Sequence, residues 1–262
     1  MVAAERASVT SADGTRIEFR RLGSGPTVIL VHGGMGASQN LVKLAAALAD
    51  EFELIVPDRR GRGRSGPHGQ NYGIARDAED LYRVSHDPPE YQRLFTYLPY
   101  GPFPSSDAML DWLTHIAEER DSRYFSVTDK SRQQLVGMVG LLNIVPAHGR
   151  IEIGGIWFSP LVQKTKVNTE VNYLLLKTLF GDLGYRRVEW KCNNDNLASK
   201  QAALRMGFIY EGLFRQHMLV KGKNRDTAWF SILDSEWPAL AHNFEAYLSG
   251  EAESLSRLNL PS

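Results

Sequence analysis

Asn196 and Ser199 stand three residues apart, directly before an apolar run that closes at Gly207-Phe208. A short polar side chain at such a start accepts a hydrogen bond from a backbone N–H of the first turn, so Asn196 reads as a helix cap. The inward positions of that helix are expected at Leu197, Ala203 and Leu204, with Gly207 as the stop. Upstream, Glu152 sits inside Arg150-Ile151-Glu152-Ile153-Gly154-Gly155-Ile156-Trp157-Phe158. A strand carboxylate of this kind either takes up a proton in a reaction or pairs with a cation, here Arg150 or Arg187. Glu189 and Glu211 offer the same chemistry, and His148 and His217 titrate in a useful range but stand singly.

These groups need elements to hold them. Arg150 to Phe158 is a strand whose glycine pair marks a bulge. Thr169 to Leu183 carries Val171, Leu174, Leu175, Leu179 and Leu183 at helical spacing and ends at Gly184. Arg187 to Cys192 is a short strand rich in pleat-compatible residues. Tyr124 to Thr128 and Gln134 to Val145 precede these as two strands. Phe208 to Val220 and Thr227 to Leu233 follow as two more, joined by Lys221-Gly222-Lys223-Asn224.

This order, with Glu152-Ile153-Gly154, the Asn-x-x-Ser helix, Gly207-Phe208 and Glu211-Gly212-Leu213-Phe214-Arg215, resembles the GNAT acetyltransferase superfamily over about residues 78 to 238. The RimJ/RimL-like branch is the most similar, and Tyr97-Leu98-Pro99-Tyr100-Gly101-Pro102-Phe103 resembles its segment near the acceptor site. The resemblance implies an α/β fold of the α+β kind, a central mixed sheet flanked by helices. It also implies acetyl-CoA as cofactor and transfer of its acetyl group to an amine by direct attack in a ternary complex. The acceptor would be a small-molecule amine or a protein N-terminus.

Residue by residue, the resemblance places the cofactor's pyrophosphate on the loop Gln163, Lys164, Thr165, Lys166, Val167, Asn168 and Thr169, at a helix N-terminus where backbone N–H groups favour anions. The family prefers small residues where Lys166 and Asn168 stand, and only Gln163 fits its pattern. The pantetheine arm would run along the open edge at Ile156, Trp157 and Phe158, with Asn196 and Ser199 near the sulfur. Many members carry a Tyr seven residues beyond the Asn; Ala203 stands there instead, so Ser199 is the candidate to hydrogen-bond the departing thiolate. Glu152 is the first candidate for the base. Trp112 and Trp157 fit either a partly apolar acceptor pocket or the core.

Residues 1 to 77 follow another pattern. Arg16 to Arg20 alternates like a strand, Thr27 to Val31 and Leu54 to Asp58 read as buried strands, and Asn40 to Ala49 as the helix between the latter two. With His32-Gly33-Gly34-Met35-Gly36 and Asp58-Arg59-Arg60-Gly61-Arg62-Gly63-Arg64-Ser65, this βαβ piece resembles the front of an α/β-hydrolase. The Gly-x-Ser-x-Gly that should carry the nucleophile occurs nowhere, so hydrolase chemistry has no starting residue. The acetyltransferase part lacks a first strand of its own, and a front strand, or segment 72 to 77, is expected to replace or cover that edge. Gly61-x-Gly63-x-x-Gly66 matches a dinucleotide fingerprint, but Pro67, Gly69 and Gly73 forbid the helix that must follow. Three parts are therefore expected: 1–77, 78–240, and a C-terminal helix with a frayed polar tail over 241–262. A catalytically inactive chimera acting as a binding module is the alternative.

With 30 Lys plus Arg against 30 Asp plus Glu, no net charge draws the chain to nucleic acid or an anionic membrane. The arginines from Arg59 to Arg64 lack interleaved aromatics and read as a solvated loop. A single cysteine permits no internal disulfide and suits a reducing cytoplasm, no Cys/His cluster has metal-ligand spacing, and no run approaches a membrane span. The oligomeric state is open, a dimer included.

Overall fold

A computed structural model describes residues 4–11, 14–31, 37–59, 63–66 and 74–259. The chain divides into two units, Met1–Arg76 and Asp77–Ser262. In the first, strands β1 (Glu5–Thr10), β2 (Arg16–Leu22), β3 (Thr27–Ile29) and β4 (Glu53–Pro57) form a sheet in the order β1-β2-β4-β3. Helix α1 (Val42–Leu48) connects β3 to the parallel β4, the βαβ unit read from the sequence. Its small core joins Leu22, Ala45, Ala49, Leu54 and Val56. The strand from Thr27 is shorter and less buried than expected, with Ile29 63% and Val31 60% exposed. The reason is its place: β3 is the edge of this sheet, where a longer sheet would go on.

Asp58 and Ser65 act as stitches in this unit. Asp58 accepts from Ser38 N at 2.6 Å and Arg64 N at 3.1 Å, and Ser65 Oγ donates to Asp58 O while taking Glu18 N. Gly63 lies at φ +56° with the Asp58 carboxyl where a Cβ would project, so only glycine fits that close approach. The described ends of the Asp-x-Arg-Gly-x-Gly-x-Ser motif, Asp58 and Gly63 to Ser65, are thus bonded to each other, and residues 60–62 lie outside the described residues. The expected oxyanion loop at 32–36 and the segment 67–73 lie outside the described residues.

Helix α2 (Ile74–His86), most of which lies in the second unit, and α3 (Ser106–Ile116) precede a six-stranded mixed sheet in the order β5-β6-β7-β8-β10-β9. Its strands are β5 (Arg123–Asp129), β6 (Gln134–Val145), β7 (Arg150–Phe158), β8 (Arg187–Asn193), β9 (Ile209–Val220) and β10 (Lys223–Leu233). All neighbours are antiparallel except β7 and β8. Helices α4 (Val167–Lys177), α5 (Leu197–Arg205), α6 (Trp237–Ser249) and α7 (Leu255–Leu258) complete it. Among the described residues, none of the strands within 5–57 joins this sheet, and residues from 74 onward are helix. Residues 72 and 73 of the segment expected at this edge lie outside the described residues, and Ile74 to Asp77 belong to α2.

Two helical stripes differ from their reading. In α5 only Ala203 is inward; Leu197 is 65% and Leu204 52% exposed, because the core contact falls on Ala203 and on Met206 just beyond the helix. In α4 the buried hydrophobic residue is Leu176, beside buried Thr169 and Asn172, while Leu174 is exposed, and a π-turn over Thr178–Asp182 brings Leu179 into the core. Through Asn259, the described C-terminal segment packs against the rest of this unit. Residue 240 falls inside α6, whose Phe244 is fully buried, and Leu255 of α7 reaches the same core. Asn243 Nδ2 donates to Asn259 Oδ1, and Asn259 Nδ2 donates to Arg205 O, pinning the tail to α5. No helix among the described residues is long and apolar enough to cross a membrane.

Candidate active site

The site grows from the point where β7 and β8 part. Their parallel pairing runs Arg150–Arg187, Ile151–Val188, Glu152–Glu189 and then ends. Beyond it β8 pairs only with β10, so Ile153 to Phe158 keep a free backbone edge towards the opening while their other edge pairs with β6. The glycine pair makes the bulge: β7 gains a residue on β6 between Gly154 and Trp157, with Gly155 at φ +59°. Tyr100 Oη donates to Gly155 O at 3.0 Å, which ties the 97–103 segment to that bulge.

One wall is the start of α5. Asn196 Oδ1 accepts Ser199 N at 3.1 Å, the expected cap, and Trp190 Nε1 donates to Ser199 Oγ at 3.0 Å. The opposite wall is the loop before α4. Gln163 Nε2 donates to Phe158 O, and Lys164 adopts φ +61°. Thr165 Oγ1 donates to Val162 O. Lys166 turns away, its ammonium on the carbonyls of Tyr247 and Leu248 at the C-terminal end of α6. Val167 N bonds the Thr165 hydroxyl, Asn168 Oδ1 accepts Asn172 Nδ2, and buried Thr169 accepts Arg205 Nη1 at 2.7 Å.

Two cavities result. The larger, about 1690 Å³, lies between the β7 edge, this loop, α5 and the C-terminal helices. Of the residues expected to hold a cofactor, Ile156, Trp157, Phe158, Gln163, Lys164, Thr165, Asn168, Asn196 and Ser199 line it; Lys166, Val167 and Thr169 do not. Arg205, which the sequence reading missed, lines it too, and neither Arg205 nor Lys164 has an acid partner among the described residues. The smaller cavity, about 500 Å³, lies over the β7–β8–β10 sheet under Tyr97 to Tyr100. The two share Leu94, Ile156, Trp190, Asn196 and Ser199, so they meet at the mouth of the split.

Glu152 lines the smaller cavity and is 6% exposed. Its partner is neither arginine expected. Lys191 Nζ, 2.8 Å away, and Asn143 Nδ2, 2.6 Å away, both bond Oε2, and Lys191 also lies 4.1 Å above the Trp229 ring. Glu189 and Glu211 are bound in a network: Arg187 reaches both, Arg150 and Lys191 reach Glu189, and Ser231 donates to Glu211. Hydrogen bonds and charge from Arg187 hold Glu211 low, and the cations around Glu189 outweigh its burial to lower it. Burial, then the charges of Glu119 and Glu152, push Tyr124 up to about 12, and burial raises Tyr100, so both phenols stay protonated. Burial also raises the Cys192 thiol beside Ser199, leaving it a poor nucleophile. His217 Nδ1 meets Thr227 Oγ1 at the cavity wall. Trp157 packs on Phe95 in the core while also lining the larger cavity, and Trp112, partly buried, stacks on Tyr100.

The acetyltransferase (GNAT) domain family model matches residues 74–209, more than half of the 262-residue chain. The chain belongs to this family. A solved GCN5-related N-acetyltransferase from Brucella melitensis is 40% identical, with a TM-score of 0.66 over 70% of this chain and 86% of that one. Uncharacterized N-acetyltransferase p20 of Bacillus licheniformis is 27% identical over 170 residues, 62% of this chain and 89% of that protein. The alpha/beta hydrolase fold model matches residues 26–94, overlapping the other match through α2. Uncharacterized hydrolase YraK of Bacillus subtilis (strain 168) is 34% identical over 73 residues, 27% of either chain, so the front piece spans about a quarter of that hydrolase.

Proposed function

We propose that this protein transfers the acetyl group of acetyl-CoA to a primary amine by direct attack within a ternary complex. The observation that carries the proposal is the junction of two cavities at Asn196, Ser199, Trp190 and Ile156, where the parallel strands separate. The larger cavity fits the cofactor: Lys164 and Arg205 supply cations without acid partners among the described residues, and Ile153 to Phe158 a backbone edge for an amide-bearing arm. Acetyl-CoA, when bound, supplies an acyl group already activated as a thioester.

The chain's own residues then have three tasks. Gln163, Lys164, Thr165 and Asn168 of the loop before α4, with Arg205, hold the phosphates. Glu152 takes the proton of the incoming ammonium, since Oε2 is held by Lys191 and Asn143 and both bonds leave Oε1 to act. Ser199 accepts the Trp190 N–H and neighbours the Cys192 thiol, and its hydroxyl proton turns from Cys192 to the departing sulfur. Cys192, the only cysteine, is too poor a thiolate to carry an acyl group, which favours direct transfer over a covalent relay. Initial rates over a grid of acetyl-CoA and amine concentrations test the order of events. Intersecting reciprocal lines are expected; parallel lines would refute the ternary complex.

A further inference from the structure

Arg225 enters the smaller cavity from β10 and forms no ion pair there with any described residue. Among the described residues its guanidinium makes no hydrogen bond and no ion pair, and its Nε is sealed from solvent without an acceptor. The cavity wall carries three cations, Arg150, Lys191 and Arg225, against one carboxylate, Glu152. Glu152 is held by Lys191, and Arg150 and Lys191 share Glu189, which leaves Arg225 in surplus. Burial works against its charge, and Glu152 is the only carboxylate near enough to favour it. A half-buried cation without a partner is unfavourable in a protein working alone; it is accounted for when the ligand brings the anion. The guanidinium fork matches the two oxygens of a carboxylate.

The placement suits an acceptor. Thr227, two residues along β10, faces Asn193, and the neighbouring Cys192 thiol lies close to both Arg225 and the Ser199 hydroxyl. A small molecule in this cavity can therefore present an amine at the split and an anion to Arg225. We propose that the acceptor is a primary amine that also bears a carboxylate, docked by Arg225. This rests on the transferase reading above.

The test uses the full chain, as wild type and as Arg225→Gln, and reads thiol release from acetyl-CoA. Acceptors are paired: free amino acids against their amides, and amidated peptides with Asp against Asn next to the N-terminus, with spermidine and phosphoethanolamine as further arms. The carboxylate member is expected to exceed its neutral partner by at least about tenfold in kcat/KM, the worth of one charge-assisted hydrogen bond. In Arg225→Gln that ratio falls towards one through a higher KM, Arg225→Lys recovers part of it, and acetyl-CoA affinity by calorimetry is kept. The pair showing the effect tells a free amino acid from an acidic peptide end. A neutral, polycationic or phosphate-bearing amine as the best acceptor overturns the proposal, as does a preference that survives in Arg225→Gln or a lowered melting temperature of that variant. No turnover of any carboxylate amine while acetyl-CoA binds also overturns it and leaves the transferase reading standing. Failure of the wild type to bind acetyl-CoA removes both.

Discussion

Lys191 holds Glu152 by one oxygen: its ammonium lies 2.8 Å from Oε2, braced 4.1 Å above the Trp229 ring, and no bond from the described residues reaches Oε1. The pairing orients a buried carboxylate with one oxygen left for chemistry, the geometry a general base requires. An alkylamine is mostly protonated below about pH 10, so the base matters most at low pH. Glu152→Gln is expected to reduce kcat/KM about 10²-fold near neutrality, with the deficit shrinking as pH rises. A pH–rate profile parallel to wild type would remove Glu152 from that role.

Ser199→Ala is expected to lower kcat while acetyl-CoA affinity is preserved, because the hydroxyl acts on the departing sulfur and not on the bound ground state. The substitution also strands the Trp190 N–H, at a cost of about 1–3 kcal/mol in unfolding free energy. Kinetics and chemical denaturation together separate the two effects. Unchanged kcat with lowered stability would make Ser199 a structural partner of Trp190 alone.

Arg205 is the cation to test in the larger cavity, since Thr169 fixes its guanidinium at 2.7 Å. Arg205→Ala is expected to weaken acetyl-CoA binding about tenfold or more, the loss of a charge-assisted contact. Lys166→Met should change affinity little, because that ammonium serves the end of α6. Calorimetry on both variants checks the contrast, and equal losses would contradict it.

Much of this architecture is visible in one dimension. Arg150 to Phe158 is a strand with those same ends, its glycine pair is the bulge, and Asn196 caps α5 as its side chain and position dictate. Local chemistry decides such features. What was not legible depends on who stands opposite in space. Leu204 reads as an inward residue of α5, yet it lines the larger cavity, which the fold creates by parting two strands. Lys191, Arg205 and Arg225 are ordinary cations in sequence; only the fold gives the first a carboxylate and leaves the others without one. β1 was missed because Glu5 to Thr10 has almost no buried face, and the tail's docking rests on Leu255 and a few amide bonds.

His86 should make stability pH-dependent. Burial lowers its pKa, and its ring accepts Phe103 N at 2.9 Å, so the folded state keeps it neutral. The unfolded chain takes up that proton below about pH 6.5, so this contribution is complete above that value and declines as pH falls beneath it. Urea midpoints at pH 7.5 and 5.5 should fall more for wild type than for His86→Gln. An equal fall in both would exclude His86 as the cause.

Gly155→Ala tests the bulge. Its φ is +59°, and a Cβ there would stand 2.8 Å from the Tyr124 ring. A destabilisation of about 1–3 kcal/mol is expected, with a larger loss of activity than the stability change explains, since Tyr100 is anchored at this carbonyl. Wild-type stability and rate in this variant would show that the site does not need the bulge.

Titrating acetyl-CoA into the full chain by calorimetry tests the central claim most directly. The split between β7 and β8, with Lys164 and Arg205 on its cavity, predicts saturable binding at one site in the micromolar to submillimolar range, and predicts that Lys164→Ala with Arg205→Ala abolishes it. Absence of binding up to about millimolar cofactor, or binding untouched by the double substitution, would contradict the account.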